Sequence, residues 1–113
     1  MGVQAFTITG KTVKIVGATT APSAVQVPST TLGGNQYRVI NDGSVTAFLS
    51  FAMAAATADS NCVIPSGSGS NSKTVLPLLA GTDEIISFPP NAYFTGITSS
   101  GTAAIYITPG DGV

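Results

Sequence analysis

The sequence feature that most constrains the fold is an alternation of side chains on either side of a short turn at positions 36–51. Tyr37 and Val39 alternate with Arg38 before the turn, and the pattern resumes at residues 45–51 after it. A period of two is typical of a β-strand. The Asn-Asp-Gly-Ser link at 41–44 has the residue types of a tight turn. We therefore predict two strands that pair as a hairpin, around which the other strands are arranged.

Short β-rich runs recur about every 8 to 12 residues along the chain, a spacing typical of an all-β sandwich or barrel. The runs at 3–8 and 11–16 are predicted to form a first hairpin, and Pro28 indicates an edge strand at 24–27. We predict an all-β fold, an antiparallel jelly-roll-like β-sandwich of about eight short strands, formed by residues 1–113 as a single domain. Its predicted core consists of Val13, Ile15, Val39, Phe48, Ile85, Phe88, Ile105 and Ile107.

Two segments do not have a strand pattern. The alanine-rich stretch at 52–59 is too short to be stable as an isolated helix, so we predict a loop or an extension of the preceding strand. The glycine- and serine-rich tract at 65–73 has a flexible composition and no residues that could build a core, so we predict an exposed loop.

The surface is predicted to be polar but nearly uncharged. Charged residues make up 8% of the chain, against about 25% in a typical domain, whereas serine and threonine together supply 27 residues. The net charge of −1 is too small to neutralise a run of nucleic-acid phosphates. A weakly charged surface gives little protection against self-association, which suits a protein that works in an assembly.

Residues for catalysis or metal binding are scarce. The chain has no histidine and only one cysteine, so it lacks the usual general base and cannot form an intrachain disulfide or a thiolate zinc cage. We interpret Cys62 as a small, half-buried side chain. Asp83 and Glu84 are neighbours on a strand and point to opposite faces, so they cannot act together on one bond. We predict no enzymatic activity, no cofactor and no metal.

Other binding signals are weak. Gly67, Gly69 and Gly81 lack the strand and helix context of a phosphate-binding loop. Six aromatic residues could form a sugar-stacking platform, namely Phe48, Phe51, Phe88, Tyr93, Phe94 and Tyr106. A domain of this size, however, needs most of its aromatic residues for its core. No apolar run reaches the length of about 18 residues that a membrane span requires. We expect a soluble protein that binds neither nucleic acid nor membranes.

Three segments together resemble small virion proteins of tailed bacteriophages: residues 37–51, residues 79–90 with the sequence LAGTDEIISFPP, and residues 97–112 with the sequence ITSSGTAAIYITPGDG. The group includes jelly-roll decoration proteins, also called cement or staple proteins, which bind the outside of an icosahedral head. This chain differs from the plainest members by a longer loop at 65–73. The resemblance implies a capsid decoration protein that stabilises contacts between capsid subunits.

The resemblance also implies partners and a location. The expected partners are the major capsid protein and the chain itself, as a homodimer or less favourably a homotrimer, on the outer capsid surface of a virion made in the host bacterial cytoplasm. Binding would use loops and a strand edge. Met53, Leu76 and Leu78 are candidate interface residues, since they are apolar and fall in predicted loops or edges, although they could also complete the sandwich. The alternative function is a head-completion, tail or fibre-associated β module, including a glycan-binding one.

Overall fold

A computed structural model describes residues 6–29, 35–65 and 74–111 of the chain. It contains nine strands and one helix in these ranges. The elements are β1 (Thr7–Ile8), β2 (Val13–Gly17), β3 (Val25–Gln26), β4 (Gln36–Asn41), β5 (Ala47–Ala52), α1 (Ala55–Asn61), β6 (Val75–Leu78), β7 (Asp83–Ser87), β8 (Tyr93–Thr98) and β9 (Ala103–Asp111).

The strands form two antiparallel sheets. The first sheet has the order β1-β9-β4-β7, and β2 also pairs with β9; the second has the order β3-β8-β5-β6. From β2 onward the chain changes sheet at every connection except the one between β5 and β6. This strand order is that of a jelly roll. The predicted all-β, antiparallel sandwich is confirmed.

The predicted pairing of neighbouring strands is wrong in two places. The strands at 36–41 and 47–52 exist, but β4 pairs with β7 and β9 while β5 pairs with β6 and β8, so they lie in different sheets rather than in one hairpin. Likewise, β1 and β2 both pair with β9 and not with each other. In both cases the residues of the turn predict that the chain changes direction, but they do not determine whether the strands on either side of the turn pair with each other.

The prediction of a loop or strand extension at 52–59 is also wrong, because α1 forms there. The helix is short, and contacts with other elements hold it in place. Ala58 is fully buried, and its carbonyl accepts a hydrogen bond of 2.6 Å from the Ser50 hydroxyl on β5. The Asp59 carboxylate accepts one of 2.8 Å from the backbone N–H of Ala24. Among the described residues, no helix is long and apolar enough to cross a bilayer.

Four of the eight predicted core residues lie in the buried core: Ile15, Val39, Ile105 and Ile107. Val13 and Phe88 are partly buried against that core. Ile85 is 41% exposed, so its assignment to the core is wrong; its neighbour Ile86 packs inward instead. Phe48 is only half-buried and lies outside the core cluster, because it points to the opposite side of β5 from the buried Leu49.

The remaining core residues were not predicted. They come largely from β4, β5, β6 and β8, and comprise Val27, Tyr37, Ala47, Leu49, Leu78, Ala92, Phe94 and Ala103. The Tyr37 ring meets that of Phe94 edge-on, with ring centroids 4.8 Å apart, which joins the two sheets across the core. The predicted glycine- and serine-rich loop lies mainly at 66–73, outside the described residues.

The core assignment predicts different costs for two isoleucines. Ile105→Ala removes a fully buried side chain and should lower the free energy of unfolding by about 2–5 kcal/mol. Ile85→Ala, the same substitution at an exposed site, should cost less than about 1 kcal/mol. Urea denaturation measures both values. Equal costs for the two variants would contradict the assignment.

The buried Tyr37 hydroxyl supports a second prediction. It donates to the Pro89 carbonyl at 2.6 Å and accepts from the Ala92 N–H at 3.2 Å. Tyr37→Phe leaves both backbone groups unpaired and should cost about 1–3 kcal/mol. Tyr106→Phe, on an outward-facing ring, serves as the control and should change stability by less than about 0.5 kcal/mol. Thermal unfolding followed by circular dichroism compares the two.

Candidate interaction surface

The structure separates the three candidate interface residues. Leu78 is 1% exposed and belongs to the core, and Leu76 is half-buried against it, because both side chains point inward from β6. Leu78 is therefore unsuited to contact a partner, and completing the sandwich accounts for both leucines. Met53 is 50% exposed just after β5 ends, so it is the one of the three that exposes a large part of its apolar side chain.

One regular surface is the outer side of the first sheet, which we call the open face. It is formed by the even-numbered residues of β2, β4 and β9 and the odd-numbered residues of β7, because the alternate residues on these strands point into the core. Strand register sets Lys14 beside Tyr106, Tyr106 beside Ile40, and Ile40 beside Asp83. One row across the open face therefore begins with a cation and ends with an anion.

Apolar side chains form the middle of the open face. Ile40 and Tyr106 are half-buried neighbours in the row just described, and Ala104 lies two residues from Tyr106 on β9. Val16, beside Ala104, is 47% exposed, and Ile85 is 41% exposed. Single exposed apolar residues are common, but a contiguous group on one sheet face is typical of a surface that contacts another molecule.

Contacts between neighbouring strands hold the polar groups of the open face in place. The Thr12 and Thr108 hydroxyls are 2.7 Å apart. The Arg38 guanidinium forms an ion pair with the Asp83 carboxylate, with Nε 3.0 Å from Oδ1 and Nη2 close to Oδ2. This hydrogen-bonded guanidinium holds the pKa of Asp83 below its usual range. The Asp83 carboxylate therefore stays charged at neutral pH and well into the acid range.

The outer side of the second sheet is covered at its centre, in contrast to the open face. Helix α1 packs over β5 through the Ser50 and Ala58 contact described above. The segment before β3 packs over β8, where the buried Thr95 hydroxyl donates to the Pro22 carbonyl at 2.6 Å. Both polar side chains are fully buried beneath these segments. This side of the sandwich is therefore already occupied by the chain itself.

The sheet edges at β3, β6 and β7 are poorly suited to pairing with another chain. Pro77 lies within β6, the strand at one edge of the second sheet. Pro28 lies just after β3, the strand at the opposite edge of that sheet. Proline has no N–H to donate to a new strand. The edge strand β7 begins with the exposed carboxylates of Asp83 and Glu84, which discourage strand addition.

A shallow depression of about 420 Å³ lies at the end of the sandwich where β7 leads into β8. It is lined by Asn35, Ser87, Phe88, Pro89 and Pro90. The lining has no titratable side chain, so it offers apolar contact and hydrogen bonding without acid or base chemistry.

The other residues singled out from the sequence do not form a common site. Asp83 lies on the open face, whereas Glu84 is on the opposite side of the strand, as predicted. Gly81 adopts φ of 77°, a turn conformation that favours glycine. Gly67 and Gly69 lie outside the described residues. Within the described ranges, no three histidine, cysteine, aspartate or glutamate residues are placed to hold a metal ion.

The aromatic residues are divided between the interior and the two outer surfaces, so they do not form one sugar-stacking platform. Phe51 packs against Phe88 and Phe94 with ring centroids 5.0 and 5.7 Å apart. Tyr106 lies on the open face, and Tyr93 points outward from the second sheet. An extended aromatic platform is therefore absent from the described part of the chain.

Sequence reasoning missed the open face as a site, although one signal was present. On β4 and β9, apolar residues occur on both sides of the alternation, as in Ile40 beside Val39 and Tyr106 between Ile105 and Ile107. A strand with one solvated face normally alternates apolar and polar residues. Apolar residues on both sides therefore mark the outward side as a candidate contact surface.

Cys62 provides a prediction about reactivity. Its side chain is 5% exposed, and burial raises the pKa of the thiol, so both access and thiolate content are low. At pH 8, the native protein should react with a thiol reagent such as DTNB far more slowly than the unfolded protein. An added thiol in the S44C variant, at an exposed corner, should react at once. Equal rates for the two thiols in the native protein would contradict the buried placement.

No family model, curated protein or solved structure gives a significant match to this chain. The resemblance to phage virion proteins, inferred from the residue patterns at 37–51, 79–90 and 97–112, therefore stays a prediction. Function is accordingly inferred from those patterns together with the surfaces of the sandwich.

Proposed function

We propose that this protein is a structural virion component, a capsid decoration or cement protein that binds the outer surface of a bacteriophage head and stabilises contacts between capsid subunits. The observation that carries the proposal is a stable sandwich with two apolar surfaces that the described part of the chain leaves uncovered: the open face, and the end that carries Met53 and the shallow depression. A protein that acts by contact needs such a surface on a stable scaffold. It does not need a cleft with titratable groups.

The jelly roll supplies that scaffold. Its two sheets are joined by a shared core and by the buried hydroxyl of Tyr37, so its surfaces keep a fixed relative orientation. The end that carries Met53 and the shallow depression is the proposed contact with the capsid shell. An interface of standard size buries about 800 Å² per partner. A small oligomer that engages several shell subunits at once gains further from effective concentration.

A second candidate is a head-completion, tail or fibre-associated module that binds a glycan. Tyr93 favours it, because this half-buried ring faces outward beside Gln26 on β3. The Gln26 side-chain amide donates to the Asn91 carbonyl at 3.1 Å. An aromatic ring next to amide groups is suited to stack on a sugar and bond its hydroxyls.

The number of copies per particle distinguishes the two candidates. Quantitative mass spectrometry of purified particles, with the major capsid protein as the internal reference, should give hundreds of copies of a decoration protein. Six or twelve copies would place the protein at the neck or tail and contradict the proposal. Saturable binding on a glycan array, lost in Tyr93→Ala, would favour the second candidate.

The effect on particle stability tests the mechanism. Particles made without this protein should assemble but release DNA on heating or chelation under milder conditions than complete particles. Adding back the purified protein should restore resistance, whereas Met53→Asp should bind fewer copies per head. Ala56→Asp, which places the same charge on the exposed surface of α1, is the matched control. Equal binding by the two variants would show that Met53 does not contact the shell.

A further inference from the structure

We propose that the open face binds a second copy of this chain, so that two sandwiches stack through their first sheets about a two-fold axis parallel to the strands. The axis passes between β9 and β4. This inference goes beyond the proposed function and does not depend on it, because it follows from strand register and the charges on the face.

The row Lys14, Tyr106, Ile40, Asp83 carries the argument. Its members lie on β2, β9, β4 and β7 in that order, at intervals of about 4.8 Å. The proposed axis reverses the order of the strands in the second copy. It therefore sets Lys14 of each copy opposite Asp83 of the other, and Tyr106 of each opposite Ile40 of the other.

The next row is also compatible with this arrangement. Strand register places Thr108, Arg38 and Ile85 side by side, and the Thr12 hydroxyl bonds that of Thr108. Reversing the row sets Arg38 opposite Thr108 and Ile85 opposite Thr12. No like charges meet in either row. The whole chain has four basic and five acidic residues, so the placement of opposite charges at opposite edges of this face is informative.

The Asp83 carboxylate can serve both partners in such a pair. It is 44% exposed while bound to Arg38 of its own chain, and that guanidinium keeps it ionised. The Lys14 ammonium lies 6.0 Å from the centre of the Tyr106 ring, on the same face. A second copy can therefore approach without breaking the ion pair within either chain.

Other modes of self-association are less well supported by the structure. Pro28, Pro77 and the carboxylates of β7 disfavour pairing at the β3, β6 and β7 edges. The centre of the other outer face is covered by α1 and the segment before β3. The open face combines apolar groups with opposite charges at its two edges, and two sheets stacked face to face at about 10 Å bury apolar groups from both.

The size of the face sets the expected affinity. Four strands span about 19 Å across, and strands of five to nine residues are about 17–30 Å long, so the footprint is on the order of 400–500 Å². This is below the standard of about 800 Å² per partner. We therefore expect a dissociation constant in the micromolar range, and the test covers protein concentrations from 1 to 500 µM.

Charge reversal tests the arrangement by sedimentation equilibrium. Lys14→Glu and Asp83→Lys each create two like-charge contacts across the axis, so each variant alone should have a dissociation constant at least tenfold above that of the unaltered protein. An equimolar mixture of the two should form a heterodimer, because each Glu or Asp then faces a Lys. Affinity in the mixture should return to within about threefold of the original.

Matched control variants distinguish a specific effect on the open face from a general effect of charge on dimerisation. Lys11→Glu makes the same change outside the row and should leave dimerisation unaltered. Tyr106→Lys should abolish the dimer, whereas Tyr93→Lys, on an outward tyrosine of the other sheet, should not. Circular dichroism checks that each variant folds. The mixture of the two charge variants tests the arrangement even if a tyrosine variant fails to fold.

Several outcomes would overturn the proposal. They are a monomeric unaltered protein at 500 µM, a dimer that Tyr106→Lys leaves intact, and a mixture no tighter than either charge variant alone. The first would leave the face for a different protein partner, and the second would place the dimer contact elsewhere. Copy number on phage heads is measured separately, so failure of the dimer is distinguishable from failure of the proposed function.

Discussion

The buried side chain of Asn41 fixes the corner at which the chain leaves the first sheet for the second. Its amide nitrogen donates to the carbonyls of Val45 and Leu78 at 3.0 and 2.9 Å, and its amide oxygen accepts from the Gly43 N–H at 2.9 Å. The backbone N–H of Asn41 donates to the Thr82 carbonyl. Because the residue is fully buried, losing the side chain would leave its three backbone partners, the Val45 and Leu78 carbonyls and the Gly43 N–H, without these hydrogen bonds. Asn41 therefore positions the ends of β4 and β6 and the start of β5 through its side chain, and the start of β7 through its backbone.

The same corner shows how far the sequence predicts the fold. The turn chemistry was recognised correctly, since the Asn41 side chain bonds the backbone two residues later. The hairpin was wrong because local pattern specifies strands and turns, whereas strand partners in a jelly roll are distant in sequence: β4 pairs with β9 across more than 60 residues. Helix α1 was missed for a related reason. A seven-residue helix has little intrinsic stability, and the contacts that hold Ala58 and Asp59 come from β5 and from the segment before β3.

The candidate interface residues show why the site could be predicted only in part from the sequence. Whether an apolar residue on an edge strand faces inward depends on register, and a shift of one residue reverses it. Leu76 and Leu78 therefore could not be assigned to the core or to a surface from spacing alone. Ile85 and Ile86 differ in the same way, since only one of two neighbouring strand residues can face the core. The weak surface charge, in contrast, was visible in the composition and is reflected in the open face.

The difference between the two outer faces links fold to assembly. A helix and a loop cover the centre of the second sheet, and the buried hydroxyls of Ser50 and Thr95 are satisfied by those segments. On the first sheet, Phe6 packs over Gly110 at one end of β9, but no described segment covers the centre, where apolar groups lie between a lysine at one edge and a carboxylate at the other. A partner that covers the apolar centre and matches the charges would stabilise a surface of this kind, and the proposed second copy, related by a two-fold axis, would do both. Such a dimer would leave the Met53 end of each copy free, so that its two ends could engage separate subunits of a shell and gain from effective concentration.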